Sequence, residues 1–175
     1  MPGFVDTARS AGRYEGSLRE IIHAFKYEGR RGLAVPLSAM MRTAGAGILA
    51  DADVVVPVPL HPWRRMRRGF NQADDLAGHL GLPVIRALRR VHATTPQAGL
   101  SAAARRRNIR DAFELSPWPT GRRRRALVED QVVVIVDDVR TTGATLDACA
   151  SVLKRAGARQ VRALTAALTM SPPRR

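Results

Sequence analysis

Val133-Val134-Ile135-Val136-Asp137-Asp138-Val139-Arg140-Thr141-Thr142-Gly143-Ala144-Thr145 decides how this chain is read. The stretch begins inside an apolar run, Gln131 to Val136, of strand length and without polar alternation, as expected of a strand covered on both faces. The run ends in two adjacent carboxylates, and a loop of small hydroxyl residues and glycine then opens a helix. In open parallel sheets ligands sit beyond the carboxyl ends of strands, which is where Asp137 and Asp138 are expected. The loop offers backbone N–H groups and a positive helix end to an anion, Gly143 permits close approach, and the threonine hydroxyls add donors. Acids on one side and an anion nest on the other suit a phosphorylated ribose. Its hydroxyls or a bound cation belong at Asp137 and Asp138, and its terminal phosphate at Thr141, Thr142, Gly143, Ala144 and Thr145. A strand ending in two aspartates is also a common magnesium site, and threonine often caps helices, but the full ordered set favours the ligand. The reading fails if the two neighbouring aspartates are both inside salt bridges, or if the loop amides are blocked with no concavity.

On the C-terminal side, Leu146, Cys149, Ala150 and Leu153 share one helix face, Gly157 ends the helix, and Val161 to Leu168 is a second strand. Strand, helix and strand in this span form a right-handed crossover, so the fold class is α/β with a central, mainly parallel sheet flanked by helices. On the N-terminal side, Ser17 and Glu20 form a capping box. Leu18, Ile21, Ile22 and Phe25 follow at helical spacing, predicting a helix from Leu18 to Tyr27. A second helix is expected over Leu33 to Ala44, with Pro36 in its first turn. Val54 to Val58 reads as a strand, closed by Pro57 and Pro59. Asn71 caps a third helix carrying Ala73, Leu76, Ala77 and Leu80, with Gly81 past its end. Pro83 to Ile85 is a minor strand candidate, and Arg86 to Gly121 reads mostly as mobile loop with a short helical piece at Ser101 to Arg107. These assignments give one domain over residues 13–170. A helical hood occupies 13–50, a core 51–170, and flexible termini 1–12 and 171–175.

Length and composition agree: 175 residues, 45% hydrophobic and 25% charged, exclude a fibrous, disordered or mini-protein architecture. The lone Cys149 excludes a disulfide framework or a multi-thiolate zinc site within one chain and is expected in the core. No apolar run is long enough for a membrane span, and Met1 to Ser10 lacks a basic segment followed by an apolar one, so a soluble, cytoplasmic protein is expected. The formal charge is +14, and 27 of 29 basic residues are arginine, Lys26 and Lys154 being the exceptions. GC-rich coding explains such a bias, as does phosphate binding through the guanidinium fork. From His61 to Arg125, 15 arginines face four acids, so this segment carries +11 and suits a polyanionic partner, whether nucleic acid, nucleotide or sugar phosphate.

Further segments narrow the family. Pro57-Val58-Pro59-Leu60-His61-Pro62, Arg64, Arg68-Gly69-Phe70-Asn71-Gln72, and then Gln97, Leu100, Arg105 and Asn108 resemble the ComF-type phosphoribosyltransferase-like proteins associated with bacterial DNA uptake. The thirteen residues quoted first resemble the phosphoribosyl pyrophosphate signature of type I phosphoribosyltransferases. The resemblance runs from Tyr14 to Leu168 and implies a type I phosphoribosyltransferase-like fold with a small N-terminal helical hood. Its implied ligand is phosphoribosyl pyrophosphate with Mg2+, held through the ligand and through Asp137 and Asp138, and its implied activity is phosphoribosyl transfer. It also implies a pyrophosphate loop at Val58, Pro59, Leu60 and His61, aided by Arg68 and Asn71. A catalytic lid is implied over Thr94 to Arg110, with Arg105 closing on pyrophosphate and Asp138 accepting a proton. DNA-uptake helicase machinery is an implied partner. Such proteins commonly begin with a four-cysteine, zinc-ribbon-like module; nothing before Arg13 supplies it, so it is expected to be absent or provided by another chain.

Residues outside this pattern are read more plainly. The prolines around Val58 also serve as a stiff turn without a ligand. Arg64, Arg65 and Arg67 form a solvated face or bind pyrophosphate. Arg122 to Arg125 form an exposed basic tract, with nucleic-acid contact as the sharper alternative. Trp63 and Trp118 are slight evidence for base stacking, and His23, His79 and His92 lack metal-ligand spacing. The alternative to an enzyme is a ribose-phosphate sensor or single-stranded-DNA-binding accessory protein.

Overall fold

A computed structural model describes residues 3–60, 66, 69–91, 112–117 and 127–169. In chain order the elements are β1 (Thr7–Arg13), α1 (Gly16–Tyr27), α2 (Ala34–Ala44, entered through a 3-10 turn at Arg31–Leu33) and α3 (Ala46–Leu49). They continue with β2 (Val54–Pro57), α4 (Gln72–Ala77), β3 (Leu88–Arg90), β4 (Phe113–Leu115), β5 (Val132–Arg140), α5 (Ala144–Arg155) and β6 (Gln160–Leu168). Four strands form a parallel sheet in the order β1-β6-β5-β2, and β3 pairs antiparallel with β4. Pro83 to Ile85 adds one parallel bridge, Val55 to Val84, along the outer side of β2.

The apolar run in β5 is buried on both faces because its residues alternate between two cores. Val133 and Ile135 pack with Leu146, Cys149 and Leu153 of α5 and with Phe113. Val134 and Val136 pack with Ile22, Phe25, Leu37, Met41 and Leu76 from the N-terminal helices and α4. Burying each such side chain contributes about 1.5–3 kcal/mol, so the β-branched run and its two helical layers hold one another in place. The second core forms the hood. It is pinned to the sheet by Arg162, which leaves β6 to donate to Asp51 (2.5 and 2.9 Å) and to the carbonyl of Ile48 (2.9 Å).

Gly45, between α2 and α3, sets how closely hood and sheet approach. A Cβ there meets the Leu164 methyls at 2.6 and 2.8 Å and the Met41 carbonyl oxygen at 2.8 Å. The carbonyl is backbone and has little room to yield. Gly45→Ala is therefore expected to cost about 1–3 kcal/mol by overpacking, read as a lower urea midpoint at unchanged m-value.

Several expectations are corrected. The start, expected to be flexible over residues 1–12, is from Thr7 an edge strand paired to β6, so the sheet begins before the hood. Its residues, Thr-Ala-Arg-Ser-Ala-Gly-Arg, carry no β-branched run; pairing with β6 determines the strand, aided by Asp6, which accepts from the Val161 amide at 2.7 Å. The first helix begins at Gly16 with Glu15 as N-cap and no side-chain cap, so Ser17 and Glu20 do not form the expected box. Within the expected loop of 86–121, Leu88–Arg90 and Phe113–Leu115 pair as strands, joined by an Arg89–Glu114 ion pair of 2.8 Å. Three-residue strands far apart in sequence leave no periodic trace. The helical piece at Ser101 to Arg107 and residues 171–175 lie outside the described residues. Among the described residues, no helix is long and apolar enough to cross a membrane.

Candidate functional site

The site begins with a difference in strand length. β2 ends at Pro57, opposite Val136 of β5, and the Val58 amide makes a last bond to the Val136 carbonyl at 2.9 Å. β5 does not stop at the acidic pair, as expected, but runs to Arg140 with β6 alongside it. Asp137 and Asp138 therefore lie on a free strand edge, beside the space that β2 vacates as the chain turns away at Val58. Successive strand residues point to opposite faces. Asp138 follows Val134 and Val136 toward the hood, and Asp137 follows Val133 and Ile135 toward α5.

Their surroundings differ accordingly. Asp138 is 9% exposed and ion-paired with Lys26 of α1, Nζ to Oδ1 2.9 Å. One of the two carboxylates is thus in a salt bridge, because a carboxylate turned into the apolar hood needs a counter-charge. The Asp137 carboxyl is pushed up to about 7, first by burial and then by the neighbouring charge of Asp138. The Asp138 amide bonded to it, Lys26 and Arg90 oppose the rise. That amide donates to Asp137 Oδ1 at 2.9 Å. Behind Asp137, burial and the Asp137 charge raise the Cys149 thiol, and Cys149 is core, as expected.

Lys26 was not singled out by sequence, although a signal existed. It stands four residues after the buried Ile22 and next to the buried Phe25, on the apolar stripe of α1 where a solvated lysine is out of place.

The loop before α5 is broken by its glycine. Gly143 takes φ +79, the left-handed region, as N-cap of α5, and Thr142 Oγ1 accepts from the Ala144 amide at 3.4 Å. The first amides of a helix have no intrahelical acceptor, so those of Ala144 and Thr145 point out of the N-terminus. Thr141 and Thr142 are exposed. An open cleft of about 220 Å3 brings together Val58, Pro59, Leu60, Asn71, Asp137, Asp138 and Thr145, and adds Lys26, Tyr27, Gln72, Ala73 and Arg90. Thr141 to Ala144 lead into Thr145 from outside the cleft wall. Asn71 is committed internally: its Nδ2 donates to the Val58 carbonyl (3.1 Å) and to Asp74 Oδ2 (3.3 Å), and its Oδ1 accepts from the Ala73 amide (3.3 Å). It is a strut between the Val58 turn and α4 rather than a free ligand donor. His61, Arg68 and Arg105 lie outside the described residues.

Magnesium takes oxygen ligands in an octahedron and is commonly held by one or two carboxylates plus substrate phosphates. Among the described residues no three acids, histidines or cysteines cluster, and Asp137 and Asp138 face opposite sides of β5. The donors fit a cation that arrives with a phosphorylated ligand, and do not fit a cation caged by protein alone.

Comparison with known proteins gives this arrangement its class, the phosphoribosyltransferase domain. Residues 52–174 match the family model described as Phosphoribosyl transferase domain. Competence protein F of Haemophilus influenzae is 34% identical over 86% of this chain and 68% of its own length. DNA utilization protein YhgH of Escherichia coli K12 is 37% identical over 85% of this chain and 66% of its own. The chain belongs to the phosphoribosyl transferase domain family, among these competence and DNA-utilization proteins of the ComF type. It spans about two thirds of the length of those relatives. A solved structure described as the allosteric regulatory enzyme of purine biosynthesis covers 81% of this chain with 26% of its own, at 23% identity and TM-score 0.47.

Proposed function

We propose that this protein binds phosphoribosyl pyrophosphate and transfers its phosphoribosyl group to a nucleophile. The observation that carries the reading is the acid pair on the free edge of β5, sharing one cleft with Thr145 and the Val58 turn. The 5′-phosphate sits on the amides and hydroxyls of Thr141 to Thr145, the ribose hydroxyls bond to Asp137 and Asp138, and pyrophosphate lies toward Val58, Pro59 and Leu60. In the transfer the bond from ribose C1 to the pyrophosphate oxygen breaks, pyrophosphate leaves with the electron pair, and the nucleophile forms its bond to C1. Asp138 is placed to accept the proton the nucleophile loses. Asp137 and Asp138 would help hold a magnesium ion that arrives with the ligand, and such an ion would supply neutralising charge to pyrophosphate. The chain's own contribution is positioning and fixed dipoles. Arg105 and Arg68 complete the pyrophosphate side on the family resemblance. The competence and DNA-utilization names of the relatives support a role for this chemistry in the handling of DNA, with segment 61–125 as its nucleic-acid contact.

Calorimetry with phosphoribosyl pyrophosphate and magnesium tests the binding half: heat at millimolar ligand is expected, and its absence defeats the reading. Pyrophosphate release with candidate acceptors tests turnover. The Asp137 proton gives the titration a signature. Ribose hydroxyls donate to a carboxylate, so the ligand favours the ionised form. With the Asp137 carboxyl at about 7, binding near neutral pH releases part of a proton. Affinity is expected to climb by up to about tenfold per pH unit below 7 and to level off above it, while the observed heat varies with the ionisation enthalpy of the buffer.

A further inference from the structure

Lys26 is one of only two lysines among 29 basic residues, so an ammonium beside Asp138 is a local choice in a chain whose basic residues are otherwise nearly all arginine. Two carboxylates of the fold are held by a two-point fork. Arg31 donates from Nε and Nη2 to the two oxygens of Asp75 at 2.8 Å each, and Arg162 donates from Nη1 and Nη2 to those of Asp51. Such a fork fixes its partner's orientation and engages both oxygens. Lys26 instead meets Asp138 as a point charge, Nζ 2.9 Å from Oδ1, with 14% and 13% of the two side chains exposed. An ammonium on a flexible four-carbon stem turns to a new acceptor without having to match a plane. A suitable acceptor has room nearby, because Lys26 lines the same cleft as Val58, Pro59 and Leu60.

We propose that Lys26 is the exchangeable counter-ion of the cleft. It neutralises Asp138 while the cleft is empty and moves to a phosphate oxygen of the ligand when ligand hydroxyls take over the carboxylate. The proposal rests on the phosphoribosyl pyrophosphate reading and adds a positioning residue to it. The exchange replaces one donor by another, so ligand entry never leaves the Asp138 carboxylate without a hydrogen-bond donor beside the partly buried Asp137. Lys26 stands in the last turn of α1, so the swap also carries ligand occupancy to the hood.

The scarcity of lysine makes the test clean. Full-length protein labelled selectively in its lysines gives two sets of ε resonances, and Lys154, paired with Asp6 at 2.6 Å, serves as internal reference. Titration with magnesium phosphoribosyl pyrophosphate, which carries both the hydroxyls and the pyrophosphate, is expected to move the Lys26 resonances and leave those of Lys154 in place. Lys26→Met is expected to lower phosphoribosyl pyrophosphate affinity by at least about tenfold, the worth of one charge-assisted contact, with ribose 5-phosphate affinity within about threefold of the parent. Should the variant not fold, the resonances of the parent protein decide. Phosphoribosyl pyrophosphate binding with Lys26 unmoved, or a Lys26→Met protein that binds it as the parent does, overturns the exchange and leaves the site reading standing. A parent protein giving no heat with either probe overturns both.

Discussion

Asp137→Asn combined with Asp138→Asn is expected to remove measurable binding of phosphoribosyl pyrophosphate and of ribose 5-phosphate, a loss of at least about a hundredfold. Two carboxylates accepting charge-assisted bonds from ribose hydroxyls are worth that much together. The stability of the single variant Asp137→Asn should move the opposite way. The Asp137 carboxyl ionises at about 7 in the fold against 3.8 for an ordinary aspartate, chiefly because it is buried and secondly because Asp138 is charged beside it. A folded state that favours the protonated form keeps its full stability below about pH 4 and loses stability as pH rises toward 7. Asparagine cannot ionise, so at pH 8 the variant is expected to be more stable, by as much as about 4 kcal/mol for a shift of that size, and nearly equal to the parent at pH 4. Urea unfolding at the two pH values checks this. A difference that does not change with pH shows that Asp137 is not held neutral. A double variant that still binds ribose 5-phosphate removes the acid pair from the site.

Gly143→Val is expected to reduce ribose 5-phosphate affinity at least about tenfold and to cost about 2 kcal/mol of stability. The cause is conformational, because a Cβ at Gly143 meets only Arg140 Nε, at an ordinary 3.7 Å. What excludes valine is φ +79, which a β-branched residue adopts only under strain. Either the strain remains, or residue 143 relaxes and turns the first amides of α5 away from the phosphate. Calorimetry with ribose 5-phosphate and a urea melt separate the two effects. Gly143→Asn, which tolerates the left-handed region, should recover most of both losses.

The sequence made β5, the loop and α5 legible because each carries a local signal: a doubly buried apolar run, a glycine where φ turns positive, and apolar residues at helical spacing. Asn71 was likewise legible as a cap, and its side chain accepts from the Ala73 amide. The illegible parts were those determined by pairing at a distance. β1 has no strand composition of its own, and β3 and β4 are three residues each. The acid pair was found, but its setting was not. That β5 outruns β2, so that adjacent aspartates on opposite faces acquire different neighbours, depends on register, which no local pattern encodes. Lys26 was missed for a related reason, since its partner stands more than a hundred residues later in the chain.

The outermost strand has a consequence for how the molecule is made. β1 precedes every other described element in the chain, yet among the described residues its one hydrogen-bonding neighbour in the sheet is β6, Thr7 beside Arg162 and Arg13 beside Leu168. A nascent chain must therefore carry an unsatisfied strand until β6 has been translated, and a product truncated before β6 exposes that edge permanently. The arginines of β1, Arg9 and Arg13, give the waiting strand a like-charge guard against pairing with its copies on neighbouring ribosomes.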